Sequence, residues 1–166
     1  MLDLNYLIGV AKRKTTGTVT TGIEGLTDDS QFMESAAGYD GIVEMMQHKG
    51  RQVCMVLEHD TKGDFFILPG GFQERTQTVW IMEMVGFDSD RTAIQKRCFD
   101  RMKHLIGIFL KRRTAGDAAL QGWTPEARKE AISWMCHNAG PNYTGYEVCF
   151  RFREDIDLSD DGSIYG

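Results

Sequence analysis

The side chains best able to do chemistry in this chain are four histidines, four cysteines, an acidic run near the end and a basic run at 91–113. The histidines His48, His59, His104 and His137 never fall four residues apart, the spacing that puts two zinc ligands on one helix face. Cys54, Cys98, Cys136 and Cys149 form no CxxC pair, and each stands among apolar or aromatic neighbours, so they read as reduced core thiols. Cys136 and His137 are adjacent in sequence, which does not create a nucleophile and base pair in space. The run Asp155-Ile-Asp-Leu-Ser-Asp-Asp-Gly opens like a calcium loop. Such a loop needs glycine at its sixth place and a bidentate glutamate at its twelfth, and here Asp160 and Gly166 stand there. Residues 154–166 therefore read as a solvated acidic tail. No metal or cofactor set emerges.

The fragment Leu68-Pro-Gly-Gly-Phe-Gln-Glu74 resembles the opening of a Nudix box. That family's downstream carboxylate pairs bind its metal. This chain instead continues Trp80-Ile-Met-Glu-Met-Val-Gly86, without paired acids, so a β-turn is expected. There is no Gly-x-Ser-x-Gly elbow, phosphate-binding loop or dinucleotide fingerprint. These readings point away from an enzyme, with a site dispersed along the chain as the alternative.

Charge is the other signal. Residues 91–113 hold Arg91, Lys96, Arg97, Arg101, Lys103, Lys111, Arg112 and Arg113 against Asp100 alone, a net +7, which leaves −12 for the rest of a chain whose net charge is −5. Five acids fill the eight positions from Glu154 to Asp161. Such a basic segment can contact phosphates. An acidic chain without a nucleic-acid module makes a solvated or protein-facing surface the first expectation and nucleic acid the alternative. Trp80, Trp123 and Trp134 are expected as core or helix-packing residues rather than as a stacking platform. Met1 to Arg13 is apolar before it is basic, the reverse of a secretory signal, and no apolar run is long enough to span a bilayer. A cytoplasmic protein with no membrane partner is expected.

Length and composition suit one α+β domain spanning residues 1–166, without internal repeats. The first thirteen residues suggest a short helix, and the Thr/Gly-rich stretch at about 14–27 a mobile arm. A helix is expected from Phe32 to Lys49. Val53–His59, Phe65–Leu68 and Thr76–Val85 read as three strands of an antiparallel meander, turning at Asp60–Asp64 and at Pro69-Gly-Gly. Ile94, Cys98, Met102, Leu105 and Phe109 recur at helical spacing after the cap Asp88-Ser-Asp. A second helix is expected from Pro125 to His137. Gly145–Arg153 alternates as a half-buried strand, with Tyr146, Val148, Phe150 and Phe152 on the inner face. The expected fold is an antiparallel sheet of about four strands packed against two or more helices.

That order of elements resembles the small tail-terminator and tail-completion proteins of tailed bacteriophages, over residues 30–153. The resemblance rests on topology and size. It implies a homo-oligomeric ring in a phage neck or tail, made in the cytoplasm and carried in the virion, with other virion proteins as partners and no cofactor. On that reading the basic helix, through Lys96, Arg97, Arg101, Lys103 and Lys111, meets the acidic tail, through Asp155 and Asp157, between subunits. The Thr/Gly arm would order against a neighbour.

Overall fold

A computed structural model of the chain describes residues 1–35, 38–49, 52–59, 63–66, 71–86, 90–123, 132–139 and 142–155. Helix α1 (Leu4–Ala11) starts on Asp3, whose carboxylate accepts from the Tyr6 N–H. Strands β1 (Lys14–Thr16) and β2 (Val19–Thr21) follow as a two-stranded hairpin whose residues are all exposed. The Thr/Gly stretch, expected as an irregular arm, is therefore a β-ribbon that leaves the body of the domain. Its β-branched residues favour that extended pairing.

The main sheet has six strands: β3 (Phe32–Ser35), β4 (Val53–Glu58), β5 (Gly63–Phe66), β6 (Phe72–Met84), β7 (Trp134–Ala139) and β8 (Tyr143–Asp155). Its order is β3-β4-β6-β8-β7, with β5 also paired to β6. The α+β class holds, but the sheet is larger than expected, and mixed, because β3 lies parallel to β4. Phe32 and Met33 were expected to open a helix. They form a strand because successive side chains enter two different cores, one on each side of the sheet. Helix α2 begins only at Gly38 and runs to Lys49, crossing from β3 to the parallel β4.

The three-strand meander is corrected as well. Both β4 and β5 pair with the same edge of β6, end to end. Between Glu58↔Thr78 and Gly63↔Arg75 the pairing skips Thr76 and Gln77 of β6, and of the turn expected at Asp60–Asp64 residues 60–62 lie outside the described residues. Gly63 begins β5, and Phe66 pairs with Phe72 at the far end of the ladder. Of the Pro69-Gly-Gly turn only Gly71, at φ 51°, lies within the described residues. The second expected helix fails at its end. Trp134 to His137 belong to β7, which supplies β8 with an antiparallel partner, while residues 124–131 lie outside the described residues.

Helix α3 (Arg91–Thr114) is the element the sequence marks best. Asp90 caps it, three basic residues fill its last turn, and Ile94, Cys98, Met102, Leu105 and Phe109 are all buried. With α1 it covers one face of the sheet, where Phe109 packs on Phe150 and Trp123. Ile42 and Met46 of α2 cover the other face over Cys54, Val56, Trp80 and Met82. Strand β4, sandwiched between the layers, is buried at all six positions. β8 keeps its expected alternation, with Val148, Phe150 and Phe152 inside and Arg151 and Arg153 outside. Gly145 is required where β8 crosses β6, because a Cβ there would collide with the Ile81 carbonyl. No described helix is long and apolar enough to cross a membrane.

Candidate functional site: helix α3, its buried carboxylate and the open sheet edge

Glu83 is a lone carboxylate near the end of β6, pointing from the sheet toward α3 and only 2 % exposed. Burying it unpaired would be prohibitive, and two arginines from successive turns of α3 answer it. Arg101 Nη1 donates to Oε2 at 2.7 Å, and Arg97 Nη2 to Oε1 at 2.8 Å. Arg101 Nε also donates to the Glu24 carbonyl at 2.8 Å, so the same side chain ties the loop after β2 to the helix. Gly25 makes room for it. Its φ is +85°, and a Cβ would press on Arg101 Nη2 and Val53. Gln31, held in a capping box with Asp28, completes the seam by donating to the carbonyls of Gly25 and Val53.

Burial pushes the Glu83 carboxyl up, but hydrogen bonds from Arg97 and Arg101, and their charges, outweigh it and hold the group below the usual carboxylate range. An open cleft of about 620 Å³ lies over this ion triad, walled by Glu24, Asp28, Gln31 and Gln52. Both guanidinium groups are already committed to Glu83. An incoming anion would have to compete with a fixed carboxylate, so the geometry is that of a clamp between loop, strand and helix.

Of the seven residues expected to meet a partner, the structure divides them sharply. Arg101 is 8 % exposed and bound internally, so it is removed from the contact set. Arg97 is half-turned inward onto Glu83. Lys96, Lys103 and Lys111 are exposed, with Lys103 paired to Asp100 at 2.9 Å. Asp155 is exposed at the end of β8, and Asp157 lies outside the described residues.

The feature missed by the sequence reading is the edge strand β7. Trp80 and Trp123 are buried in the core, whereas Trp134, expected in the core or packed on a helix, is 52 % exposed and its neighbour Met135 is 55 % exposed. Cys136, expected to be buried, is exposed too, whereas Cys54 and Cys98 are buried. Trp134 packs edge-on against Phe99 of α3 at 5.2 Å and against Tyr146 of β8 at 5.5 Å. Lys103 Nζ stands 5.3 Å from the centre of the same Phe99 ring. The aromatic edge and the outer basic face of α3 thus form one continuous surface, and no other described strand pairs with β7. The signal available beforehand was the period-2 pairing demand of β8, whose partner had to come from the residues before Gly140-Pro141.

No family model matches the chain, and neither a curated protein nor a solved structure shows significant similarity to it.

Proposed function

We propose that this protein is a structural subunit that works by assembling with copies of itself into a closed oligomer, of the kind that forms rings in the neck or tail of a bacteriophage. The observation that carries the reading is the edge strand β7, which presents Trp134 and Met135 to solvent. An open edge with large apolar side chains is an aggregation hazard in a monomer and an asset in an assembly. Two further surfaces support it: the exposed β1–β2 ribbon with Val19 at its tip, and the exposed Phe65 of β5. These patches are all different, so contact between one and another is heterologous, the kind that closes into rings.

The nucleic-acid alternative loses two of its five cations, because Arg97 and Arg101 serve Glu83. Light scattering on the purified chain, with Trp134→Ser and Met135→Ser together as the control, tests the proposal. Assembly that the double variant abolishes supports it. A monomer across the whole accessible concentration range, with the edge intact, refutes it.

A further inference from the structure

We propose that the β7 edge, with Lys103 beside it, receives the acidic segment that follows β8 in a second copy of this chain as an added strand. The inference rests on the oligomeric reading above and names the contact.

The receptor is a six-residue edge strand at the end of the sheet order. On its α3 side stand Trp134, Phe99 and Lys103, whose ammonium lies over the Phe99 ring and pairs with Asp100, and on its other side stands Met135. A strand added to β7 therefore meets a cation on one face and an apolar side chain on the other. The sequence after β8 has that pattern. In an extended chain Ile156, Leu158 and Asp160 fall on one side, and Asp157, Ser159 and Asp161 on the other. Placing Asp157 and Asp161 toward Lys103 puts the isoleucine and leucine beside Met135, with Asp160 following them on that side. Main-chain pairing supplies affinity and the alternating side chains supply register.

Reach assigns the segment to a neighbour rather than to its own body. Trp134 pairs with Val148, and β8 continues seven residues beyond that to Asp155, a run of about 23 Å at ~3.3 Å per residue. Ile156 follows Asp155 directly, and retracing that distance takes roughly seven residues even when fully extended, so Ile156–Asp161 is used up before it could lie along its own β7. A second copy carries no such detour. Since the receptor and the segment are different surfaces, each copy can give one strand and take one, which again closes a ring.

The test joins two chains of the same protein. One keeps Cys136 and carries Cys149→Ser; the other carries Cys136→Ser, Cys149→Ser and Ser159→Cys. They are mixed with a short bis-maleimide. The proposal expects a cross-linked heterodimer from the mixture alone. Its yield should drop about tenfold when the first chain also carries Lys103→Glu, and recover when the second carries Asp157→Lys and Asp161→Lys. An unchanged melting curve shows that the lysine variant is folded. A chain ending at residue 155 should lose assembly. If that truncated chain still assembles and no heterodimer forms, the tail contact is wrong while the oligomeric reading stands. If the full chain is monomeric throughout, both fail.

Discussion

Removing Arg101 should cost far more than removing Arg97, although both bond the same carboxylate. Arg101 is almost wholly buried, and its loss as Arg101→Met leaves Glu83 with one half-exposed partner and the Glu24 carbonyl without its Nε donor. Breaking a buried pair by deleting one partner costs about 3–5 kcal/mol. Side-chain exposure of 50 % at Arg97 lets water screen that pair, so Arg97→Met should cost about 1 kcal/mol or less. For a chain of this size each kcal/mol moves Tm by roughly 2–4 °C, so the expected drops are about 6–20 °C and about 2–4 °C or less. Glu83→Gln should resemble Arg101→Met, and the two changes together should cost clearly less than their sum. The pH dependence follows from the same site. Glu83 titrates below its ordinary value of 4.5, so its contribution is full above that value and is lost as pH falls through the lower, folded value. The Tm gap between wild type and Glu83→Gln should hold from pH 7 to about 5 and shrink in stronger acid. Thermal denaturation followed by circular dichroism measures all of this. Equal shifts for the two arginine variants, or a gap that widens in acid, would refute the clamp.

Other outcomes follow from particular contacts. Gln77 is fully buried and both donates to and accepts from Leu2, so Gln77→Ala should cost about 2–3 kcal/mol, read as a lower denaturation midpoint. Gly145→Ala should impair folding outright, seen as loss of soluble protein or of cooperative melting, because β6 and β8 cannot separate without unpairing. A maleimide applied to the native protein should modify Cys136 first. Cys98, whose thiol burial pushes up to about 11, should react only after unfolding, as mass spectrometry of the labelled peptides will show. Replacing Lys96, Lys103 and Lys111 by Glu together should leave Tm within about 2 °C of wild type, since the three are exposed.

What could be read from the sequence follows from which interactions are local. The α3 stripe and the β8 alternation were legible because each is a one-dimensional pattern set by a single buried face. Arg101 looked like another exposed cation of α3 because its partner lies eighteen residues away on a strand. The better clue was Glu83 itself, a lone carboxylate between Trp80-Ile-Met and Met-Val, which demands a buried cation. Phe32 to Ser35 and Trp134 to His137 read as helix in the sequence because short apolar stretches carry no decisive period. Their strand state is imposed by neighbours, β4 and β8, each of which pairs with β6 on one edge and takes β3 or β7 on the other. Inward and outward cations could not be sorted until the sheet fixed which side of α3 is covered.

The mass of the native particle is the most direct test of the central claim. One chain weighs 18.8 kDa. Native mass spectrometry at near-physiological salt should show a closed multiple of that mass, several copies with a single stoichiometry, dissociated when Trp134 and Met135 are replaced by Ser. A species of one chain mass at every concentration, with the β7 edge unaltered, would contradict the account.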